Sequence, residues 1–549
     1  MHTTRRHLGR TLGLGLMSSV LVLAACAAPA SAPATAPAPR AASGAVVPQP
    51  AARPAQPTGK LVVAVPSLEN ESVDPIKGSA LSGLFQQILY DSLVGTDLEG
   101  KLDTSLGIAN KWDMAPDGKT WTFTIRKGVT FDNGDEVTSA DVKFTIERAM
   151  GPEARGVGAP TLRAAISGVE TPDASTIVVK LKSPNPFIAR FLSLSQTEGF
   201  VMPKKYLEAV GADAFNKKPI GTGAYRLTHH EFGSSLQMEA KPQPHWRIGV
   251  PRFQAFEIRI VPDDTTRIAL VTRGEGIVVA LPRQLVRTAG ERGINVVLKK
   301  AEDSHWLAFH DQWVEGNPLG KADVRKALSL AIDRKAILDN VFGGIGEISG
   351  TAPTFSVLTD GVKRGQFQFP YDPQQAKQLL SRAGHPNGFK INLNSWTRPG
   401  VSEGPKMIEA IAQYWKDVGM DVTIVPIDYG TWRQKWQQDL GKLGVTSGWY
   451  LSGSRVWPLD STRVTMHKDA ILTYDKDPDV ARLIDAAQEA LDPKTRAEAV
   501  DALSRVLVDR TISAYLFEVG LALGTTPDLK GWSPGLQPYT WNIMGLLAR

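Results

Sequence analysis

The feature that most constrains the fold of this 549-residue chain is a strand–helix–strand pattern in its C-terminal half. Two apolar segments, 389–393 and 421–427, are rich in branched and aromatic residues and have the length of buried strands. Between them, segment 406–418 places its large apolar residues at helical spacing. Two strands joined by a helix pair in parallel, because a crossover of that length returns the chain to its starting edge. The pattern predicts an α/β protein that contains a parallel sheet.

A further helix is predicted just upstream from the signals at its two ends. Asp372 is a good N-cap, Pro373 suits the first helical position, and Gln375 occupies the third. Gly384 follows the last apolar turn and is predicted to end the helix.

The N-terminal half of the chain has a different pattern, which predicts a β-rich region. Segments 121–125 and 177–181 alternate apolar and polar residues, as half-buried strands do. The sequence Pro-Asp-Gly at 116–118 precedes the first of them and is typical of a turn.

Residues 1–25 are predicted to be an export signal. Arg5, Arg6 and Arg10 form a basic start, and an apolar stretch follows at 12–25. Glycine and serine interrupt this stretch, which is too short for a transmembrane helix of about 20 apolar residues. The sequence leaves open whether export follows the general or the twin-arginine route.

The one cysteine of the chain, Cys26, stands directly after Leu-Ala-Ala, a sequence that resembles the bacterial lipobox. Cleavage there would leave Cys26 N-terminal, with diacylglycerol on its thiol. Residues 26–59 are rich in Ala, Pro, Ser and Thr and are predicted to form an extended linker. The expected location is therefore the periplasm or cell exterior, with a lipid anchor in the membrane. The alternative is an ordinary signal peptide, with a cysteine that carries no lipid.

Composition and motifs argue against several classes of function. The net charge of +6 arises from 62 Lys and Arg against 56 Asp and Glu, too balanced and dispersed for a nucleic-acid surface. Neither a GxxxxGK[ST] phosphate loop nor a GxSxG nucleophile motif occurs. The nine histidines are scattered, and no spacing indicates a metal site. We predict a protein that is not an enzyme and that needs no cofactor or metal.

Several ordered segments match the patterns of one protein family. The segments, which include LYDSL, PDG, TWTF, RKGV, GTGAY and AIDR, are 89–94, 112–131, 138–144, 219–225, 324–334 and 371–384. Through them, residues from about 60 to 545 resemble the extracytoplasmic solute-binding proteins of ABC importers, in the peptide- and nickel-binding group called family 5. Within this family, the chain resembles the dipeptide- and oligopeptide-binding proteins. Ala224 departs from the pattern, which has proline there.

The resemblance implies a two-lobed periplasmic-binding-protein fold of the α/β class, with a hinge and an extra β-rich inserted domain. Lobe one is expected to comprise 60–103, 222–307 and 516–549, the inserted domain 104–221, and lobe two 308–515. The lobes of such a protein close over a solute. The closed monomer then docks on membrane permease subunits, and a separate ATPase supplies the energy.

Two segments of lobe two are the predicted ligand site, because ligands bind beyond the carboxyl ends of parallel strands. We predict Trp396 and Arg398 in a loop after strand 389–393, and Trp449 in a loop after a strand that ends near Ser447. Tryptophan side chains often form the apolar walls of ligand clefts. By resemblance to dipeptide binders, Arg398 and the proline after it hold the ligand carboxylate through parallel hydrogen bonds. The alternative is that Arg398 is an ordinary surface arginine.

The second loop departs from the family in a way that changes the expected ligand. Peptide binders carry aspartate three residues after the Gly-Trp tryptophan, where it pairs with the peptide α-amine, and here that position is Ser452. A hydroxyl cannot neutralise a buried ammonium, and Arg455 adds a positive charge nearby. The sequence therefore predicts a carboxylate ligand whose amine is absent, acylated or neutral.

The function that the resemblance implies is capture of a peptide or small peptide-like carboxylate for an importer. Two alternatives use the same fold. One is a secreted hydrolase, and the other is an envelope chaperone or signalling receptor.

Overall fold

The computed structural model describes residues 56–156, 158–194, 196–275, 278–349, 369–397, 403–428, 431, 444–451, 458–470, 473–529, 531–535 and 540–548. Cys26, Arg398, Ser452 and Arg455 lie outside the described residues, as do the predicted export signal and most of the linker. Trp449 is described only by its position in a strand. The roles assigned to these residues stay predictions.

The strands are β1 Lys60–Val65, β2 Gly95–Thr96, β3 Leu102–Asp103, β4 Ala109–Met114, β5 Thr120–Ile125, β6 Ile166–Asp173, β7 Thr176–Leu181, β8 Tyr225–Glu231, β9 Ser235–Ala240, β10 Ala255–Ile260, β11 Val278–Leu281, β12 Asn295–Phe309, β13 Gly346–Ile348, β14 Lys390–Thr397, β15 Asp421–Asp428, β16 Val445–Leu451 and β17 Ser513–Thr525. The helices are α1 Gly83–Leu89, α2 Ser139–Met150, α3 Ala159–Ala165, α4 Ile188–Phe191, α5 Lys204–Val210, α6 Ala212–Lys217, α7 Asp264–Thr272, α8 Val286–Glu291, α9 Ala322–Leu330, α10 Arg334–Val341, α11 Pro373–Arg382, α12 Glu403–Asp417, α13 Pro458–Met466, α14 Pro478–Glu489, α15 Pro493–Asp509 and α16 Ile543–Leu547.

Within the described residues, an eleven-stranded mixed sheet has the main order β15-β14-β16-β12-β17-β11-β1-β10-β9-β8, and β13 pairs with β17. On one side, β1, β10 and β11 run parallel and form the first half-sheet together with β8 and β9. On the other side, β14, β15 and β16 run parallel and form the second half-sheet. The antiparallel pair β12 and β17 lies between them and joins the two half-sheets.

The strands β12 and β17 are long because each contributes to both half-sheets. The part of β12 up to Lys299 pairs with the end of β17, next to β11, and the part from Asp303 onward pairs with the start of β17, next to β16. The pairing register shifts between these two residues. We call this stretch, residues 299–303 with residues 519–521, the crossover. The chain thus passes between the half-sheets along these two strands.

Helices cover the half-sheets and enclose separate cores. Helix α12 buries Met407, Ile411 and Trp415, and the indole Nε1 of Trp415 donates to the carbonyl of Leu328 on α9 at 2.9 Å. Helix α7 places Ile268 in a smaller core with residues of β1 and β11. The second half-sheet therefore has a hydrophobic core of its own.

In its described residues, segment 104–221 contains a four-stranded antiparallel sheet in the order β4-β5-β7-β6. Strands β5 and β7 alternate buried and less buried residues, which confirms the predicted pattern. Arg148 of this segment donates to both carboxylate oxygens of Asp74 at 3.1 and 2.8 Å. The guanidinium of Arg126 lies 4.6 Å from the ring centroid of Trp246. These contacts fix the segment to the chain that carries the first half-sheet, while its predicted bounds as an inserted domain stay a prediction.

The strand–helix–strand prediction is confirmed. Strands β14 and β15 flank α12 and pair in parallel from Lys390 with Asp421 onward. The predicted N-cap is also present, since the carboxylate of Asp372 accepts a hydrogen bond from the backbone N–H of Gln375 at 2.8 Å. The left-handed φ of +89° at Gly384 follows the end of α11.

The predicted loops at Trp396 and Trp449 are wrong, because both residues lie inside strands. Strand β14 continues to Thr397, which pairs with Asp428, and β16 continues to Leu451 along β12. Each strand is longer than its apolar segment because the pairing with a neighbour continues past it. Aromatic and β-branched residues also fit a pleated surface well.

No helix among the described residues combines the length and the apolar composition that crossing a membrane requires.

Candidate functional site

The carboxyl ends of the parallel strands in both half-sheets point toward the crossover. Strand β11 ends at Leu281, which pairs with Ala522, and β16 ends at Leu451, which pairs with Asp303. Because β17 and β12 continue from these pairs into the crossover, the two strands reach it from opposite sides. Ligands of open α/β sheets bind beyond the carboxyl ends of the strands. The candidate site is therefore the space between these two edges, next to the crossover.

The backbones of β12 and β17 approach each other closely within the crossover. A Cβ atom added at Gly520 would lie 2.6 Å from the carbonyl oxygen of Lys299, closer than side chains come to backbone in folded proteins. The backbone N–H of Gly520 donates to the carbonyl of Ile345 at 3.2 Å. Glycine at this position is required by space and not by an unusual φ angle.

Arg283 lies at the carboxyl end of the first half-sheet, two residues after β11, and connects it to the second. Its guanidinium donates from Nη2 to Oδ2 of Asp303 at 2.8 Å, from Nη1 to Oε1 of Glu403 at 3.3 Å, and from Nε to the carbonyl of Gly520 at 2.6 Å. Asp303 belongs to β12, and Glu403 is the first residue of α12, shortly after β14. We call Arg283, Asp303 and Glu403 the crossover cluster. It joins residues from the carboxyl edges of both half-sheets.

The crossover cluster is shielded from water. The side chains of Arg283, Asp303 and Glu403 are 10%, 7% and 4% exposed. Burial alone would lower the pKa of Arg283, but the carboxylates of Asp303 and Glu403 outweigh burial and raise it. Buried ions persist when they are paired and hydrogen-bonded, because removing either from water is costly.

His305 lies two residues beyond Asp303 in β12 and is neutral at physiological pH. Burial, together with the positive charge of Arg283, lowers the pKa of His305 to about 3. Its ring centroid lies 5.2 Å from that of Phe342 and 5.4 Å from that of Phe517. Within three positions, β12 thus carries the ionic residue Asp303 and a neutral histidine that packs against two phenylalanine rings.

Two of the predicted site residues have described positions near this edge. Trp396 is 5% exposed and directly precedes Thr397, the last residue of β14. Leu393, three residues earlier, belongs to the hydrophobic core of the second half-sheet, whereas Trp396 belongs to a different hydrophobic cluster. Trp449 lies in β16 and pairs in register with His305. Since β14 and β16 are neighbours, the structure places Trp396 and Trp449 in adjacent parallel strands. What they contact in a ligand stays a prediction.

Sequence reasoning missed the crossover cluster. A signal was present, because Pro282 and Arg283 directly follow the apolar run of β11, at the kind of strand end that had already singled out Trp396. Asp303 and Glu403 gave no such signal, since their roles depend on pairing between distant segments. Within the described residues, no group of three His, Cys, Asp or Glu side chains is arranged to hold a metal ion.

Comparison with known proteins gives a consistent picture. The family model described as "Bacterial extracellular solute-binding proteins, family 5 Middle" matches residues 104–463. The Heme-binding protein A of Haemophilus influenzae is 28% identical over 404 residues, covering 68% of this chain and 71% of the relative. The Glutathione-binding protein GsiB of Salmonella choleraesuis is 28% identical over 419 residues, covering 74% and 78%.

A solved structure of similar fold is the ABC transporter-associated periplasmic binding protein DppA from Helicobacter pylori in complex with the peptide STSA. It superposes with a TM-score of 0.75 at 21% identity, and the match covers 90% of this chain and 98% of that one. The prediction of an α/β, two-lobed periplasmic-binding-protein fold is thereby confirmed.

Proposed function

The chain belongs to family 5 of the bacterial extracellular solute-binding proteins, and on that premise we propose that it is the substrate-binding component of an ABC importer. The observation that carries the proposal is the joining of two half-sheets, with facing carboxyl edges, by the two strands of the crossover. A connection of this kind permits hinge closure around a ligand. The protein then acts by enclosing a solute and presenting it to permease subunits, and not by catalysis.

The proposed movement takes the predicted lobes as its rigid parts. Lobe one and the inserted domain stay together, held by contacts such as the pair of Arg148 with Asp74. Lobe two rotates about the crossover. The monomer is the working unit, and a separate ATPase drives transport.

The proposed ligand is a peptide or a small peptide-like carboxylate. In support, the proteins to which the chain is similar are named for heme and glutathione, and one is solved with a peptide. All three of these ligands carry carboxylates. Arg398 is proposed to hold the carboxylate, Trp396 and Trp449 to line the cleft, and Ser452 and Arg455 to disfavour a free α-amine.

Native mass spectrometry of freshly purified protein tests the function most directly, because a closed cleft retains its solute. We expect a non-covalent adduct with the mass of a carboxylate-containing molecule. Calorimetric titration with a free dipeptide and its N-acetylated form then tests the site. Arg398→Ala is expected to weaken binding about ten- to a hundredfold, the value of a charge-assisted hydrogen bond.

The matched variant at the second position is Ser452→Asp, which restores the counter-charge found in peptide binders. It is expected to move the preference toward the free dipeptide. Wild-type protein that binds the free dipeptide more tightly than the acetylated one, with Arg398→Ala unchanged, would contradict this account of the ligand. The assignment as a solute-binding protein would stand, because it rests on the family.

We also propose that Cys26 carries the lipid anchor and that residues 26–59 tether the body to the membrane. The support is the lipobox resemblance and the linker composition. Cys26→Ser is expected to release the protein from the membrane fraction. Retention of the variant after a salt wash would contradict the anchor.

A further inference from the structure

We propose that segment 104–221 takes part in closure itself, by holding the turn between α14 and α15 when the cleft is closed. The contact consists of Gly118, Pro184 and Phe187 on one side and Leu491 and Arg496 on the other, and we call it the insert contact. This inference rests on the proposed function, because it requires a cleft that opens and closes. It assigns to the inserted segment a share of the stability of the closed state that does not depend on which ligand is bound.

The apolar half of the insert contact is a leucine packed on a tight turn. A Cβ atom added at Gly118 would lie 2.6 Å from Cδ2 of Leu491 and 3.1 Å from Cβ of Pro184. Gly118 also has a φ of +67°, which disfavours any side chain there. The turn before β5 therefore presents bare backbone on which Leu491 rests.

The polar half is one arginine side chain that lies against an aromatic ring. The guanidinium of Arg496 lies 5.2 Å from the ring centroid of Phe187, which is buried. Arg190, three residues later and within α4, has its pKa lowered by burial and by the positive charge of Arg496. The contact thus sets a cation–π attraction against repulsion between two like charges. A contact so balanced is suited to forming and breaking repeatedly.

Hydrogen bonds and an ion pair hold the two sides of the insert contact to different parts of the chain. The C-terminal end of α15 is anchored beside the second half-sheet, where Arg325 Nε of α9 donates to the carbonyl of Thr511 at 2.8 Å. Gln312 donates to the carbonyl of Ile512 at 2.8 Å. Segment 104–221 is held instead by Asp74 and the chain around the first half-sheet. A rotation of one half against the other must therefore change the distance between Gly118 and Leu491.

The turn lies at the opposite end of α15 from the anchored end. Helix α15 has 17 residues, so about 25 Å of helix separates its anchored end from the turn at Leu491. Leu491 and Arg496 are moreover only partly buried, so that losing the contact exposes little apolar surface.

The test compares Leu491→Ala with the control Val314→Ala, which shortens an exposed side chain elsewhere in lobe two. Both are made in a Cys26→Ser chain labelled for fluorescence energy transfer at Lys127→Cys and Glu498→Cys. The probes are glutathione and an N-acetylated alanyl dipeptide. Leu491→Ala is expected to speed the loss of the closed state after dilution by about three- to tenfold. The factor should be the same for both probes, and the control should release them at the wild-type rate.

Three outcomes would overturn the inference, and they differ in what else they contradict. In one outcome, the wild type shows two label-to-label distances, one with and one without the probe, but Leu491→Ala releases the probes at the wild-type rate. This result would contradict the role of the insert contact and leave the proposed function intact. In another outcome, the label-to-label distance in the wild type is the same with and without each probe. This result would contradict both the closure on these ligands and the inference. A different factor for the two probes would also overturn it, since Leu491 would then act through the ligand.

Discussion

The crossover cluster and the insert contact both join one half of the molecule to the other, but they consist of different kinds of interaction. The crossover cluster is a buried arginine between two carboxylates, with side chains at most 10% exposed. The insert contact is a partly exposed leucine on a glycine turn and an arginine on an aromatic ring. One lies at the proposed axis, and the other lies at the N-terminal end of α15, about 25 Å of helix from the anchored end of that helix.

The difference follows from what each contact must do during opening. Separating a buried ion pair costs about 3–5 kcal/mol, because it leaves a charge without a partner out of water. Such a pair is compatible with motion only where little movement occurs. Away from the axis the halves must separate, and a small apolar contact costs far less to break. The molecule is therefore expected to keep Arg283 paired in both states and to give up the contact at Leu491.

The strongest test of this contrast is Arg283→Met, which removes the cation and leaves Asp303 and Glu403 buried together. The free energy of unfolding is expected to fall by about 3–5 kcal/mol in chemical denaturation. Arg273→Met is the matched control, because Arg273 pairs with Glu275 at the surface, where both side chains are about half exposed. Its loss should stay within about 1 kcal/mol. Equal losses in the two variants would show that the crossover cluster contributes no more to the free energy of unfolding than a surface pair does.

Gly520→Ala tests the backbone contact at the crossover. The added Cβ meets the carbonyl oxygen of Lys299, so that one of the two strands must shift. We expect a loss of about 1–3 kcal/mol in the free energy of unfolding, as for overpacking in a core. Gly290→Ala in α8 is the control, because nothing lies within 4 Å of its added Cβ. A loss in the control as large as that of Gly520→Ala would contradict the steric explanation.

Acid is expected to lower the free energy of unfolding through His305, which lies two residues beyond the crossover. The pKa of this histidine is about 3 in the folded protein and 6.5 without the fold, so the unfolded chain binds a proton first. Stability contributed by neutral His305 is thus present above pH 6.5 and is lost as the pH falls toward 3. At pH 5 the loss is about 2 kcal/mol in the free energy of unfolding.

The variant that checks the assignment is His305→Phe, which keeps a ring between Phe342 and Phe517. Its stability is expected to fall less than that of the wild type between pH 7 and pH 5. His229→Gln, an exposed histidine in β8, is the control and should follow the wild type. If the free energy of unfolding of His305→Phe fell between pH 7 and pH 5 by as much as that of the wild type, other groups would cause the acid sensitivity.

The smallest expected effect concerns Arg190, whose charge opposes that of Arg496 across the insert contact. Arg190→Gln is expected to slow ligand release about twofold at low ionic strength, and the difference should vanish at about 1 M salt, where charges are screened within about 3 Å. Arg287→Gln, 89% exposed in α8, is the control for a general effect of charge. Faster release from Arg190→Gln would mean that Arg190 stabilises the closed state.

The sequence was informative wherever a few neighbouring residues determine a structure. Asp372, Pro373 and Gln375 predicted the start of α11, since an N-cap needs only residues within one turn. The strand–helix–strand pattern predicted β14, α12 and β15 for the same reason. The strand ends at Thr397 and Leu451 were missed because the pairing of neighbouring strands, and not the composition of the segment, sets them.

The site was less predictable than the fold. Trp396 and Trp449 lie near the ends of β14 and β16, although the sequence placed both in loops, and their role at the site stays a prediction. The crossover cluster brings together Arg283, Asp303 and Glu403, which are separated by 20 and by 120 residues from the arginine. No local sequence pattern predicts a contact between residues that lie so far apart in the chain. Only the order of the strands places the carboxyl ends of β11 and β16 at one point.

Small-angle X-ray scattering with and without a saturating solute tests directly whether the two half-sheets close over a ligand. The radius of gyration is expected to be smaller with the ligand that native mass spectrometry identifies, because the two halves close about the crossover. The same ligand should leave the radius of Arg398→Ala unchanged at concentrations that saturate only the wild type. A radius that stays the same in the wild type at full occupancy would contradict closure of the two half-sheets over a solute.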